Sequence, residues 1–302
     1  MRNNLLTVVV LSHNRSHFIK QCLDSIISQD YPNFKLIVSE NSTNDDVYNL
    51  LHEQFPNVEI RRRVPSLSSI DHYHQVLSEL DSEFTMLFHD DDFFIRHDAL
   101  SEMMGYLRDD VAAVAGNAFH QYDDKPTTKK FFETQETFKE FVLSKDMFAF
   151  HLRGEIAPYP SYIYRTINLK DVRSEWVTFG KYIDGYIVSS LAKRGKVIWV
   201  SDPIMNYRIH ANNDSQKMDV EALKNLINYG QELGVQEKDI ALYYFPTMLL
   251  LFLKQKSLTA LVKAIGCYLK HPVHITFFLS KRFTKRFRSI SALLARIYNQ
   301  IG

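Results

Sequence analysis

Residues 84–94 read Phe84-Thr85-Met86-Leu87-Phe88-His89-Asp90-Asp91-Asp92-Phe93-Phe94. An apolar, aromatic run followed directly by three carboxylates predicts a buried strand that carries acids to its C-terminal end. In open α/β sheets, ligands bind outside that end of the strands. Adjacent like charges repel one another, so a folded chain accommodates them best in solvent or around a divalent cation. A solvated acidic turn and a cation site are the two interpretations.

The sequence around this stretch alternates between strand and helix patterns. Strands are predicted at 7–11, 34–39, 58–62, 84–88 and 112–119, and helices at 16–28, 47–55, 69–80 and 98–108. This alternation predicts an α/β fold with right-handed crossovers and a mostly parallel sheet. Residues 123–150 lose the rhythm and are predicted to be an insertion or lid. Later predictions are a helix at 183–193, short strands at 197–200 and 205–207, and helices throughout 219–302.

Composition is typical of a soluble globular protein, but charge is distributed unevenly along the chain. Of 302 residues, 45% are hydrophobic and 24% charged, which fits one large domain or one domain with a helical appendage. Ile240–Gly302 holds ten of the 36 Lys and Arg residues and no Asp or Glu, which leaves 26 basic and 35 acidic residues elsewhere. A basic tail on an acidic body predicts an anionic partner for the tail, either membrane lipid or nucleic acid.

Cysteine content and hydropathy indicate the compartment. Cys22 and Cys267 are the two cysteines, too few for a zinc site or a disulfide framework, so we expect a reducing environment. The N-terminal apolar run is short and is predicted to be a buried strand, not a signal peptide. No run approaches the ~18–20 apolar residues that cross a bilayer. We therefore expect a cytoplasmic protein.

Three motifs occur in a recognisable order. They are Val9-Val10-Leu11-Ser12-His13-Asn14-Arg15, then Glu40-Asn41-Ser42-Thr43-Asn44-Asp45, then Asp90-Asp91-Asp92. In order and spacing they resemble the inverting glycosyltransferases of family 2, and the resemblance covers about residues 5–215. It implies the GT-A fold, a Rossmann-like sheet flanked by helices, here with a helical C-terminal extension. The implied domains are 1–218, with a nucleotide-binding half to about 119 and an acceptor-binding half from 120, and a basic helical region, 219–302.

The resemblance also implies roles for the motif residues. The implied nucleotide-binding residues are Ser12, His13, Asn14, Arg15, Glu40, Asn41 and Asp90. Asp91 is the most direct implied ligand of Mn²⁺ or Mg²⁺, with Asp92 beside it, although His89 stands where many relatives have another Asp. A short acid at the end of the second strand suits hydrogen bonds from a ribose or base, while a solvated turn remains the alternative for Glu40. For the first turn the alternative is an ordinary helix entry capped by Ser16.

A fourth motif lies further along, at residues 182–186, which read Tyr182-Ile183-Asp184-Gly185-Tyr186. A carboxylate in this apolar, aromatic stretch is partly desolvated, which raises its pKa and makes it a better proton acceptor. The resemblance implies that Asp184 is the general base. The alternative is a helix N-cap without a catalytic role.

A fifth motif is the segment Tyr207-Arg208-Ile209-His210-Ala211-Asn212-Asn213-Asp214-Ser215, which resembles the terminal loop of the family. In such a loop, His210 binds phosphate or the metal, and Arg208 is suited to a bidentate phosphate contact. A structural histidine is the alternative. Two departures from the family pattern leave the donor open: residues 61–69 lack the usual Asn and Gly, and Tyr73-His74 replaces an Arg-Asn pair.

The C-terminal tail interleaves cations with aromatics in Lys281-Arg282-Phe283-Thr284-Lys285-Arg286-Phe287-Arg288. A basic amphipathic helix of this kind can lie in an anionic lipid interface. The alternative is a helix packed on its own domain with its charges in solvent. The tail carries no nucleic-acid recognition motif, so we expect no nucleic-acid partner.

Together these features predict a metal-dependent inverting glycosyltransferase. Its expected donor is a nucleotide-diphospho-sugar, and its expected acceptor is the hydroxyl of a lipid-linked saccharide in bacterial surface polysaccharide or O-antigen synthesis. We expect it to be peripheral at the inner face of the cell membrane. One alternative is a nucleotidyltransferase, which the absence of Gly from residues 12–15 disfavours. The other is a non-catalytic membrane-surface protein with a decayed glycosyltransferase fold.

Overall fold

Four parallel strands form the first half of the sheet in the computed structural model. The structure describes residues 5–122, 125–152, 156–171, 176–210, 220–277 and 279–280. The strands are β1 (Leu6–Ser12), β2 (Phe34–Glu40), β3 (Glu59–Arg62) and β4 (Phe84–His89), connected through α1 (Ser16–Ile27), α2 (Asp46–Gln54) and α3 (Ser69–Ser78). They pair in the order β3-β2-β1-β4. The predicted α/β rhythm is confirmed here.

The second half of the sheet mixes parallel and antiparallel pairs. Its strands are β5 (Phe93–Phe94), β6 (Val111–Tyr122), β7 (Lys125–Lys130), β8 (Phe138–Phe141), β9 (Tyr162–Arg165) and β10 (Lys196–Ile209). Its helices are α4 (Ala99–Gly105), α5 (Ser144–Leu152), α6 (Thr166–Asp171), α7 (Trp176–Phe179) and α8 (Ile183–Leu191). Strand β9 lies antiparallel between β4 and β6, while β6 and β10 are parallel. The α/β fold class is confirmed, but the sheet is mixed: the first half is wholly parallel, and the second half keeps one parallel pair, β6 with β10.

Two segments of the second half differ from their predicted structure. The segment predicted as an insertion or lid, 123–150, contributes strands to the sheet where the structure describes it, because β7 pairs with β6 and β8 pairs with β10. The two short strands predicted after 196 are one strand, β10, whose register shifts on both sides of Pro203. Proline has no N–H to donate to a ladder, so the chain bulges there and resumes pairing. The break in the strand pattern at Pro203 is therefore a local irregularity within β10.

Both faces of the sheet are covered by apolar side chains. Val8 and Val10 of β1 pack into a cluster that includes α1, while Val9 and Leu11 point into a second cluster on the opposite face. Successive side chains of a strand alternate between faces, so a strand covered on both sides is continuously apolar. This explains why the runs before Ser12 and His89 contain no polar alternation.

The register of the parallel strands brings their C-terminal ends to one edge. Ser12 lies opposite Glu40, and Leu11 lies opposite His89. The turns that follow β1, β2 and β4 therefore begin at the same level of the sheet. The acidic triplet after His89 enters this edge directly.

The C-terminal region is helical where the structure describes it. It contains α9 (Val220–Glu232), α10 (Glu237–Gln255) and α11 (Leu258–Lys270), and Ser257 caps α11 by accepting a hydrogen bond from the Ala260 amide. The chain divides into two compact units, one of Met1–His151 with Glu155–Tyr229 and another of Leu152–Gly154 with Gly230–Gly302. The domain boundary after residue 218 stays a prediction. Residues 281–288 and 211–215 lie outside the described residues.

Gly116 in β6 tests how tightly the sheet face is packed. An alanine Cβ at position 116 would lie 2.4 Å from Ile204 Cδ1, and Ile204 is fully buried. Gly116→Ala should therefore reduce the free energy of unfolding by about 1–3 kcal/mol, measured by urea denaturation. Gly105→Ala is the matched control, because no atom lies within 4 Å of its added Cβ. Ile204→Val should restore part of the loss, and equal losses at both glycines would contradict this account.

Candidate active site

Asp90 ties the end of β4 to the turn after β1. Its Oδ2 accepts hydrogen bonds from Ser12 Oγ at 2.9 Å and from the His13 amide at 3.0 Å. Its Oδ1 accepts from Arg15 Nη1 at 2.9 Å. Burial raises the pKa of Asp90 to about 6, although the Arg15 charge opposes this shift. Both oxygens are engaged within the protein, so Asp90 positions the turn from inside the site.

Asp91 is the acid of the triplet that its surroundings keep ionised. Its Oδ2 lies 2.9 Å from His210 Nε2 and 3.4 Å from Arg15 Nη1. Burial opposes ionisation, but the neighbouring side chains of His89, Arg15 and His210 outweigh it and lower the pKa of this carboxyl. Asp91 therefore presents a negative charge at neutral pH.

Asp92 is held from the other side, by β10. Its Oδ1 accepts a hydrogen bond from the Arg208 amide at 2.9 Å. Its Oδ2 is buried and has no hydrogen-bond partner among the described residues. Burial and then the negative charge of Asp91 raise the pKa of Asp92 well above its usual range. A buried carboxylate oxygen without a partner is costly unless a cation or a proton accompanies it.

Three side chains of this turn could hold one metal ion together. One donor atom from each of His89, Asp91 and Asp92 lies within 4.8 Å of the others. Carboxylate oxygens suit Mg²⁺ and Mn²⁺, and an imidazole nitrogen suits first-row transition metals, so the set fits a divalent cation. His210, which the resemblance implies as a ligand, reaches the cluster through its contact with Asp91 and is not one of these three donors.

Arg208 is hydrogen-bonded to the acidic triplet. Its guanidinium lies between two aromatic rings, 4.5 Å from the centroid of Phe18 and 4.9 Å from that of Phe93. Nη1 donates to the Asp91 carbonyl at 2.7 Å, and Nη2 donates to Gln21. The side chain is buried, and both terminal nitrogens bond within the protein. A phosphate contact by Arg208 stays a prediction.

The turns after β1 and β2 are bonded to each other. Asn14 has a positive φ of 54°, a conformation that Asn tolerates better than most residues. Its amide N–H donates to Ser42 Oγ at 2.8 Å, and its side-chain oxygen accepts from the Thr43 amide at 2.9 Å. His13 Nδ1 lies 2.7 Å from the carbonyl oxygen of Asn41. His13, Asn14 and Thr43 are exposed, so the pair of turns offers a polar surface at this edge.

Glu40 and Asn41 are buried beneath that surface. Glu40 Oε1 accepts from the Ser42 amide at 2.7 Å, and its Oε2 lies 3.3 Å from Arg62 Nε. The Asn41 side chain exchanges two hydrogen bonds with the backbone of Leu67, at 2.7 and 3.0 Å. The structure places both residues at the predicted nucleotide loop, where their present contacts shape the loop from within.

Asp184 lies in the first turn of α8 and is half-buried. The helix begins at Ile183, after a cap at Tyr182, so Asp184 does not occupy the cap position. Burial raises the pKa of this carboxyl to about 7. A carboxylate with this pKa is poised to accept a proton near neutral pH.

Tyrosines connect Asp184 to the acidic triplet electrostatically. Tyr207 has a raised pKa, caused by burial first and then by the charges of Asp92, Asp91 and Asp184. Tyr73 has its pKa raised by burial and also by Asp184, and its hydroxyl lies 3.4 Å from His89 Nε2. Asp184 and the triplet therefore act on one common side chain, that of Tyr207.

Sequence reasoning missed the aromatic lining of this region. Burial, with a smaller contribution from Asp184, raises the pKa of Tyr159, Tyr162 and Tyr164. The period-two spacing of Tyr162 and Tyr164 is a strand signal that could have revealed them. The packing of Tyr73 against His89 has no local signal, because α3 and β4 meet only in the tertiary structure.

Comparisons with known proteins agree with this architecture. The family model described as glycosyl transferase family 2 matches residues 7–163, just over half of the chain. The structure of S. aureus TarS 1–349 in complex with UDP-GlcNAc is similar, with a TM-score of 0.63 and 14% identity over 87% of this chain and 79% of that chain. No curated protein sequence matches significantly.

A second similar structure is the mannosyltransferase PcManGT from Pyrobaculum calidifontis in complex with GDP-Man and Mn²⁺. Its TM-score is 0.52 and its identity 14%, over 96% of this chain and 78% of that chain. At this level of identity, the likeness to both structures shows a common fold.

The raised pKa of Asp184 predicts a pH-dependent stability. The folded state holds the proton up to a pH of about 7, whereas the unfolded chain releases it near its ordinary value of 3.8. Stability should therefore fall as pH rises from about 4 to about 7. Asp184→Asn removes this cost, so above pH 7 it should be more stable than wild type by roughly 2–4 kcal/mol, with little difference near pH 4.

Chemical denaturation at several pH values measures this difference. The matched control is Asp146→Asn, which removes an exposed carboxylate on α5 and should leave the pH dependence unchanged. A variant of Asp184 that is equally or less stable than wild type at pH 8 would contradict the desolvation of this carboxyl.

Proposed function

Because the chain belongs to glycosyl transferase family 2, we propose that it transfers a sugar from a nucleotide-diphospho-sugar to an acceptor hydroxyl with inversion. The observation that carries this proposal is the meeting of three strand ends at one acidic turn, with the charges of that turn and of Asp184 acting on the same tyrosine, Tyr207. Family membership favours this reaction over nucleotidyl transfer. It also identifies the protein as a glycosyltransferase, in place of a non-catalytic binding protein.

Asp184 would act as the general base. Its pKa of about 7 lets it accept the proton of the acceptor hydroxyl as that oxygen attacks the anomeric carbon. Attack from the face opposite the diphosphate inverts the configuration. Tyr159 and Tyr164 lie in the same apolar cluster as Ile183 and would bound the acceptor pocket.

Asp91 and Asp92 would hold a divalent cation, Mn²⁺ or Mg²⁺, with His210 beside them. Such an ion neutralises the charge of a leaving diphosphate. His210, hydrogen-bonded to Asp91, would orient that carboxylate or contact the diphosphate, and Arg208 would keep the turn in place.

The nucleotide would bind along the joined turns after β1 and β2. Ser12, Arg15 and Asp90 form a bonded set that fixes the first turn. The exposed His13 and Asn14 offer polar groups to a base or ribose, while Glu40 and Asn41 would support the loop or turn outward on binding. A panel of nucleotide-sugar donors identifies the base and the sugar.

The C-terminal unit supports a lipid-linked acceptor. Leu258, Val262, Ile265 and Leu269 of α11 are spaced to share one helix face and are 50–72% exposed. Lys263 and Lys270 of the same helix are exposed, and the chain has no Asp or Glu from Ile240 onward. An exposed apolar face on a basic helical region suits an anionic lipid surface.

Among the described residues, no helix has the length and apolar character needed to cross a bilayer. We propose that the C-terminal unit attaches the enzyme peripherally to the inner face of the cell membrane. There it would act on lipid-linked saccharides of a bacterial surface polysaccharide, such as O-antigen.

A donor panel tests the reaction and its base. Purified protein with Mn²⁺, a bacterial lipid extract and a series of UDP- and GDP-sugars should release nucleoside diphosphate with one donor class. Asp184→Asn should lower kcat at least ~100-fold and keep nucleotide affinity nearly unchanged, because the base does not contact the nucleotide. In wild type, kcat/KM should fall about tenfold per pH unit below pH 7, as the base becomes protonated.

Asp91→Asn is the companion variant and should lose both transfer and metal-dependent nucleotide binding. Loss of nucleotide binding in Asp184→Asn would overturn the base assignment. Absence of turnover with every donor would overturn the proposed reaction.

Membrane attachment is tested with vesicles. Val262→Glu places a charge on the apolar face and should weaken binding to phosphatidylglycerol vesicles tenfold or more in a flotation assay. Thr259→Glu introduces the same charge in the same helix outside that face. It should weaken binding less, by about 1 kcal/mol or roughly fivefold. Equal binding by Val262→Glu and wild type would contradict attachment through α11.

A further inference from the structure

The side chains of the turn after β4 form two groups that differ in direction. The Asp92 amide donates to the His89 carbonyl at 3.3 Å, which closes a tight turn over residues 89–92. Asp90 points to the turn after β1, where both of its oxygens accept hydrogen bonds. His89, Asp91 and Asp92 instead converge, with one donor atom from each lying within 4.8 Å of the others.

One member of this group has a buried oxygen without a partner in the described part of the chain. Asp92 is 1% exposed, and its Oδ2 has no hydrogen-bond partner among the described residues. This atom lies 3.9 Å from His89 Nδ1, too far for a hydrogen bond. Two ligands of one octahedral ion at ~2.1 Å lie about 3.0 Å apart when adjacent and about 4.2 Å apart when opposite. The observed separation matches neither value, so binding one ion in adjacent positions would bring the two atoms about 0.9 Å closer together.

The other nitrogen of His89 is oriented away from the carboxylates. Nε2 lies 3.4 Å from the Tyr73 hydroxyl, which can accept its proton in a long hydrogen bond. Histidines that bind metals commonly donate their second ring nitrogen in this way, which fixes the tautomer and the ring orientation. Tyr73 is therefore a positioning residue for His89.

We propose that His89 is a metal ligand through Nδ1, alongside Asp91 and Asp92, and that its nitrogen makes the site select Mn²⁺ over Mg²⁺. This rests on the proposed function and specifies its cation site. Imidazole favours transition metals, whereas a set of oxygens alone suits Mg²⁺. In this arrangement His210 orients Asp91 and does not itself bind the ion.

Mn²⁺ bound with UDP or GDP to the full chain provides the test by pulsed electron paramagnetic resonance. A directly bound imidazole couples its ¹⁴N nucleus to the Mn²⁺ spin and modulates the electron spin echo. Wild type and His210→Asn should both show the modulation. His89→Asp should bind Mn²⁺ without it, and its preference for Mn²⁺ over Mg²⁺ in competition titrations should fall about tenfold or more.

Two further variants and one labelled wild-type sample serve as controls for the resonance experiment. His97→Asn removes an exposed histidine outside the site and should match wild type. Tyr73→Phe should keep the modulation and weaken Mn²⁺ affinity, by at most the ~10–100-fold typical of such outer contacts. Wild type labelled with ¹⁵N-histidine should replace the ¹⁴N pattern with that of ¹⁵N, which requires no substitution and so does not depend on a variant folding.

The outcomes separate this inference from the reaction itself. Modulation that survives in His89→Asp and vanishes in His210→Asn would overturn the inference and assign the ligand to His210. Sugar transfer without Mn²⁺ binding would also overturn it. In both cases the glycosyltransferase reaction would stand, since it fails only if no donor is turned over.

Discussion

Three adjacent carboxylates buried at the end of one strand are the constraint on which this site depends. Burial penalises the charged form of each acid, and each charge also penalises its neighbours. The fold offsets this cost with partners for every member, of which Arg15 is shared by Asp90 and Asp91. Asp90 is hydrogen-bonded to Arg15 in the turn after β1, Asp91 to His210, and Asp92 to the backbone of β10. The hydrogen bonds that stabilise these three buried carboxylates therefore connect strands that are distant in sequence.

The same constraint divides the acids by function. Asp91 is kept ionised by neighbouring cationic groups, whereas the pKa of Asp184 is governed by burial, which pushes this carboxyl toward neutrality. Acids whose pKa values are driven apart by their surroundings suit different roles, one binding cations and the other exchanging protons. Tyr207, which responds to the charges of both, shows that the two environments adjoin.

Much of the fold could be predicted because its strongest signals are local. Strands β1, β2 and β4 are covered on both faces, so their apolar runs stand out and their ends are marked by polar turns. The sheet partners of residues 125–130 and 138–141 could not be predicted, since their pairing depends on β6 and β10. Pro203 divided β10 in the sequence pattern, although the strand continues beyond its bulge.

The candidate site shows the same division between local and distant information. Sequence by itself determined that an acidic triplet ends β4, that polar turns follow β1 and β2, and that Asp184 sits in an apolar stretch, because these are properties of neighbouring residues. Tertiary structure decided which carboxylate oxygens are already engaged, that Glu40 is buried, that His89 converges with Asp91 and Asp92, and that His210 contacts Asp91. Those outcomes depend on hydrogen bonds and burial between segments up to 119 residues apart, which no local pattern encodes.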